Sequence, residues 1–305
     1  MPGSRTRRYR PSQPLLVGAI LAGLRHGRGD PTFARDASGH WLARRTPAGP
    51  GTLQIHVATD GEVSGQAWGP GADWLLDGLP ALVGAGDDVS GFVAHHPAVA
   101  AAHRAFAGWR VPRSRLVLDS LVPAVIEQKV TGKEAFAGFR ALVRAFGEPA
   151  PGPRPGLMVA PAAAGWAAIP SWEWLRAGVT PQRSATVMRC VQVAGRLEQC
   201  ADLPLEQARA RLRAVPGVGW WTMAEVAQRA LGDPDSPSFG DYHLAKNIGG
   251  ALLGHDIDDE ALEELLKPYA GHRFRAVRLL ELAGTGRPRR GPRQALPTHL
   301  PTGRR

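Results

Sequence analysis

Leu212-Arg213-Ala214-Val215-Pro216-Gly217-Val218-Gly219-Trp220-Trp221-Thr222 is the most informative run in the chain. One amphipathic helix ends, Pro216-Gly217-Val218-Gly219 turns the chain, and a second helix starts. Glycine at 217 and 219 permits positive φ and leaves backbone N–H groups uncovered. Those groups lie at the start of the second helix, where the dipole favours an anion. The turn therefore predicts a phosphate cradle that needs no lysine. Taken alone, Pro-Gly-x-Gly also fits an ordinary tight turn between packed helices.

A second run lies downstream. Ser236-Pro237-Ser238-Phe239-Gly240-Asp241-Tyr242-His243-Leu244 ends a polar loop and opens a helix, with Asp241 twenty-two residues past Gly219. By itself Asp241 fits a plain N-cap, a role worth about 1 kcal/mol.

The rest of the chain divides around these runs. Residues 41–45, 52–57 and 62–68 are short, partly alternating stretches separated by Gly and Pro clusters, which predicts a strand meander. A helix follows over 72–83. Residues 15–21 read as a strand rather than a secretory signal, because no small-x-small cleavage site follows the short apolar run. From about residue 96 the periodicity is helical. Helices are expected over 119–130, 132–146, 171–177, 181–198, 205–214, 220–231, 242–253, 258–266 and 273–283, with a Pro/Gly-rich loop from 147 to 161. No stretch reaches the roughly 20 apolar residues that span a membrane.

Charge sits at the ends. The formal net charge of +10 equals the ten arginines at 5, 7, 8, 10, 287, 289, 290, 293, 304 and 305, so the body is neutral. The ends are expected to be solvated tails or salt-sensitive contacts to a polyanion. Two cysteines, Cys190 and Cys200, exclude a disulfide scaffold, a four-cysteine zinc site and a four-cysteine iron–sulfur cluster. No metal or other cofactor is implied.

Taken together, the hairpin and the aspartate resemble the helix-hairpin-helix DNA glycosylase superfamily, and within it the DNA-3-methyladenine glycosylase II branch. There the hairpin reads Pro-Gly-Ile-Gly-x-Trp-Thr-Ala and the aspartate sits in Asp-Tyr-x-x-x-Lys. Here 216–222 and Asp241-Tyr242-His243-Leu244-Ala245-Lys246 fit those patterns. Gln128-Lys129-Val130-Thr131 resembles the family's DNA-facing Gln-x-[Val/Leu]-Ser segment, and 266–273 its late Arg-Pro-Tyr-Arg segment. The resemblance covers about 12–283 and implies an α+β chain, with a small β-rich α+β domain over 12–95 and an all-α helix-hairpin-helix glycosylase domain over 96–283; composition assigns the flanks, 1–11 and 284–305, to basic, disordered tails.

The resemblance also assigns roles. Asp241 is the catalytic carboxylate. Trp221, Tyr242 and Glu225 are candidates for the base pocket, against core packing for the two aromatics and plain solvent exposure for Glu225. Gly217, Val218, Gly219, Thr222, Gln128 and Lys129 are the DNA-binding set. Lyase-active members carry a lysine at the position of Trp221, so a monofunctional enzyme is expected. Its chemistry is simple: a cationic alkylated purine is already a good leaving group, and a carboxylate stabilises the oxocarbenium charge left on the sugar. Duplex DNA with a damaged base is the expected partner, acted on by a cytoplasmic monomer with no membrane association. Three departures stand out: Glu225 where an aromatic is usual, Lys129 where an apolar wedge is usual, and Met223 in place of alanine. They leave open a non-catalytic DNA-binding protein and a glycosylase for deaminated purines.

Overall fold

The computed structural model describes residues 3–285. Strands β1 (Arg5–Tyr9), β2 (Phe33–Asp36), β3 (Gly39–Thr46), β4 (Gly49–Val57) and β5 (Val63–Trp68) form one antiparallel sheet in the order β1-β5-β4-β3-β2. In β5, Val63, Gly65 and Ala67 alternate inward, the period-two pattern of a half-buried strand. Leu53 and Ile55 of β4 join them beneath helix α2 (Ala72–Leu82), which lays Leu75, Leu76 and Leu79 on the sheet.

Two expectations for the N-terminus are corrected. Residues 5–9, assigned by composition to a tail, are edge strand β1, with Arg7 opposite Gly65 of β5. Their charges are not free: Arg7 pairs with Asp77 at 3.1 Å, Arg10 with Asp60 at 2.7 Å, and Arg5 with Asp73. The partners lie 50 residues or more along the chain, so local composition hides them. Residues 15–21 are not a strand but lead into and form most of α1 (Val17–Ala22). Val17 and Leu21, four apart, enter the sheet core, and Ile20 enters a second core on the other side. The turn is helical because the Ile20 N–H donates to the Leu16 carbonyl at 3.0 Å; placing 17 and 21 on one face and 20 on another would equally suit a strand, so the apolar run alone does not separate the two.

The helical part contains α3 (Pro97–Ala105), α4 (Val117–Ile126), α5 (Gly132–Phe146), α6 (Ala163–Ala167), α7 (Ser171–Arg176), α8 (Pro181–Gln192), α9 (Ala194–Glu198), α10 (Leu205–Arg213), α11 (Trp220–Val226), α12 (Leu244–Leu252), α13 (Asp259–Leu266) and α14 (Arg273–Leu282). The helix expected over 181–198 breaks at Val193, between α8 and α9. Helix α4 is the centre of the larger core: Val117, Leu121, Val122, Val125 and Ile126 are all buried in it. The α4 N-terminus is capped from a distance, because the Glu198 carboxylate accepts from the N–H groups of Val117 (2.9 Å) and Leu118 (2.8 Å).

The part expected to be all-α is not. Within the Pro/Gly-rich loop, β6 (Glu148–Pro149) and β7 (Met158–Val159) pair antiparallel. They bring Leu157 and Val159 against Trp41 and Ala43 on the outer face of the sheet. Leu157 and Val159 thus cover apolar surface that would otherwise meet water. The sheet and the helices are also joined by an ion pair between Arg44 Nε and Asp119 Oδ2 at 3.0 Å, with both side chains largely buried. No helix among the described residues is long and apolar enough to cross a membrane. The tail expected over 284–305 lies, from residue 286 onward, outside the described residues.

Candidate active site

The hairpin forms as its glycines require. Gly217 has φ +95°, and a Cβ there would fall 2.5 Å from Thr186 Oγ1, so no other residue fits without strain. Gly219 is extended (φ −87°, ψ −172°), and a Cβ there would meet nothing within 4 Å. Gly219 therefore presents bare backbone to open space. Arg189 braces the turn, its Nε donating to the Pro216 carbonyl at 2.8 Å and its second nitrogen to Thr186 Oγ1 at 2.9 Å.

Three members of the DNA-binding set are placed differently from one another. Val218 is buried, and its N–H donates to the Val215 carbonyl at 3.0 Å, so the residue anchors the turn from inside. Gln128 fastens the hairpin to the turn after α4: its Nε2 donates to the Gly217 carbonyl (2.9 Å) and to Thr222 Oγ1 (2.8 Å). Lys129, the next residue, is exposed and left-handed at φ +55°. Such a conformation is uncommon away from glycine and turns the side chain out of the helical path.

The Asp241 carboxylate is held at the start of α12. Its Oδ1 accepts from the N–H groups of His243 (2.8 Å) and Leu244 (3.1 Å), while its own N–H donates to the Ser238 carbonyl at 3.1 Å. The helix begins at Leu244, two residues later than the sequence implies, because residues 238–241 form a tight turn with Gly240 at φ +85°. One carboxylate oxygen thus makes the capping bonds, and the other has no bond among the described residues.

The three pocket candidates divide. Trp221 is half-buried. Tyr242 is 70% exposed, with Lys246 Nζ 4.4 Å from its ring centroid. Glu225 faces inward and is fully engaged: one oxygen accepts from Ser238 Oγ, the other from Arg229 at 2.7 Å. Burial works against the charge on Arg229, but Glu225 and then Glu127 outweigh it and hold its pKa above the usual arginine value. Arg229 also donates to the Gly23 carbonyl at 2.8 Å, which ties α11 to the chain just after α1.

No family model matches the chain. A curated relative from Mycobacterium tuberculosis, named a probable bifunctional transcriptional activator/DNA repair enzyme AlkA, is 32% identical over 154 residues. That stretch is 47% of this chain and 29% of the relative, so the chain spans under a third of the curated protein it matches. A solved 3-methyladenine DNA-glycosylase from Archaeoglobus fulgidus superposes with a TM-score of 0.74 at 13% identity, covering 92% of this chain and 98% of its own. The fold is that of the helix-hairpin-helix DNA glycosylases. An 8-oxoguanine glycosylase/lyase from Clostridium acetobutylicum shares this glycosylase fold, with a TM-score of 0.69 at 10% identity over 90% of this chain and 95% of its own.

The fold also makes several contacts that the sequence does not single out. Trp220, 59% exposed, carries the Arg213 guanidinium 3.3 Å from its ring centroid. The two are seven apart and belong to different helices, so only the hairpin brings them together. His26 Nδ1 lies 3.2 Å from Glu127 Oε1 across the sheet–helix boundary, a pairing over 101 residues that no local pattern signals. A partly open cavity of about 60 Å³, lined by Arg45, Asp119, Phe139, Trp166 and Glu198 among others, shares no residue with the hairpin or with Asp241. Among the described residues no group of three or more His, Cys, Asp or Glu side chains is placed to hold a metal ion.

Proposed function

We propose that this chain is a monofunctional DNA glycosylase that releases alkylated purines from duplex DNA by hydrolysis. The observation that carries the reading is Asp241, a carboxylate anchored through one oxygen at a helix start, at the family's spacing from a Pro-Gly-Val-Gly hairpin. An anchored carboxylate loses no reorganisation energy as positive charge develops on the sugar. Its unbonded oxygen is available to stabilise that charge and to orient the attacking water.

The remaining residues support binding. The hairpin offers the N–H groups of the first α11 turn beside Gly219 to a backbone phosphate, and Gln128 and Thr222 keep the hairpin in place. Arg213 and Trp220 flank the same surface, and Lys129 projects from the turn that Gln128 secures. The target base leaves the stack at a cost of a few kcal/mol and moves towards Trp221. An indole face attracts a cationic base by about 2 kcal/mol when water is excluded. Tyr242, exposed in this structure, joins that wall only once DNA covers it.

Hydrolysis without strand cleavage follows from Trp221. An indole nitrogen cannot form the Schiff base that a lyase step requires. Glu225 does not favour a deaminated purine, since both of its oxygens already accept bonds from protein donors. A monomer acting in the cytoplasm on duplex DNA, with no cofactor, completes the reading. It is tested with a panel of duplexes, each carrying one defined lesion, assayed for abasic sites. Release from 3-methyladenine or 7-methylguanine duplexes is expected. Release only from hypoxanthine or 8-oxoguanine duplexes would reassign the substrate, and no release with retained binding would leave a DNA-binding protein.

A further inference from the structure

Glu225 departs from the family's aromatic at its position, and the structure connects it to Asp241 through two bonds. Ser238 Oγ donates to Glu225 Oε1, and the Ser238 carbonyl accepts the Asp241 N–H at 3.1 Å. A second line reinforces the first. Gln228 Nε2 donates to Ser238 Oγ at 3.0 Å and to the Ser236 carbonyl at 2.7 Å. Gln228 lies in the single π-helical turn Ala227–Leu231 that continues α11, and the extra residue of such a turn re-aims side chains relative to an α-helix. Arg229, in the same turn, neutralises the second Glu225 oxygen at 2.7 Å.

We propose that Glu225 and Ser238 are positioning residues that fix the Asp241 carboxylate against the hairpin helix. The proposal rests on the function proposed above and extends it to residues that touch neither base nor sugar. Residues 236–240 are a loop with one proline and a left-handed glycine, and they contain no regular secondary structure. Such a segment holds a carboxylate to sub-ångström precision only if it is tied to a rigid element. Helix α11 is that element, buried at Thr222, Met223, Ala224 and Val226. The charge on Glu225 strengthens the tie, because a hydroxyl bonded to a carboxylate makes a shorter and stronger bond than one between neutral groups. Arg229 compensates the buried charge that this arrangement needs. One turn of the hairpin helix thereby sets both Trp221 and, through Ser238, the carboxylate expected to face the same sugar.

Two readouts test the proposal. The first is single-turnover base release by Ser238→Ala, Ser238→Thr and Asp241→Asn, with affinity for undamaged duplex measured alongside. Ser238→Ala is expected to slow release by about 10- to 100-fold, the scale of a small misplacement of a reacting group. Affinity should stay within twofold, because the hairpin is untouched. Ser238→Thr keeps the hydroxyl and should restore most of the rate. In an Asp241→Asn background, Ser238→Ala should cost nothing further. A further tenfold loss there would show that Ser238 and Glu225 act on the substrate directly and overturn the proposal, as would an undiminished rate in Ser238→Ala alone. The second readout does not depend on activity: amide hydrogen exchange at Asp241, His243 and Leu244. Exchange there should quicken at least tenfold in Ser238→Ala, with the hairpin amides unchanged. Unchanged exchange at Asp241 would overturn the proposal even if the wild-type protein releases no base, an outcome that would separately end the glycosylase reading.

Discussion

The side-chain amide of Gln128 spans the mouth of the hairpin, donating to the Gly217 carbonyl at 2.9 Å and to Thr222 Oγ1 at 2.8 Å. It links the turn after α4 to the hairpin turn and to α11 with a single group. Gln128→Ala leaves the Gly217 carbonyl to solvent and the Thr222 hydroxyl, on a buried residue, without its donor. A loss of about 1–2 kcal/mol is expected. Affinity for damaged and undamaged duplexes should fall by the same factor, which titration of both duplexes checks.

The two hairpin glycines should separate. Gly217→Ala forces a left-handed residue into contact with Thr186 and should cost about 2 kcal/mol or more of stability, read as a lower denaturation midpoint. Gly219→Ala meets no atom and no positive φ, so the midpoint should hold. Its effect should appear only in DNA affinity, because the added methyl covers the backbone that the phosphate is expected to approach.

These placements show how far the sequence could be read. The spacing of hairpin and aspartate was legible because both are local motifs with fixed backbone demands. Helix α5 was legible to the residue, since Thr131 and Glu134 form a capping box before an amphipathic run. What escaped depends on distance along the chain. Strand β1 pairs with β5 and is flanked by acids at 73 and 77, and α1 divides its apolar residues between two cores, an arrangement that local periodicity does not distinguish from a strand. The Ser238–Glu225 bond crosses from a loop to a helix, so no local pattern signals that both Glu225 oxygens accept bonds from protein donors. Tyr242 and Trp221 look equivalent as aromatics beside motif residues, yet one is exposed and the other half-buried.

Cys190 is fully buried, and burial pushes its thiol up to about 12. It therefore remains a thiol, not a thiolate, throughout the range in which a folded protein is handled. A thiol-specific reagent at pH 8 should leave Cys190 unmodified in the native protein and modify it after denaturation. Mass spectrometry of the labelled peptides reads the difference.

Strand cleavage should be absent. The position that supplies an amine in lyases holds Trp221. Lys246 Nζ sits over the Tyr242 ring, and Lys129 projects from a different turn. Borohydride added during turnover on a damaged duplex should trap no covalent complex, and nicks should appear only after alkali. A trapped complex would require one of these lysines to reach C1′, and Lys246→Ala and Lys129→Ala, tested singly, would identify it.

Base release by wild-type protein and Asp241→Asn, under single-turnover conditions on a duplex with one 7-methylguanine, tests the central claim most directly. Wild-type protein should convert the lesion to an abasic site. Asp241→Asn should bind the same duplex with similar affinity and release base at least about 10²-fold more slowly, the usual loss when a preorganised electrostatic stabiliser is neutralised. Equal release by a folded Asp241→Asn protein, or no release by the wild type from any alkylated purine, would contradict it.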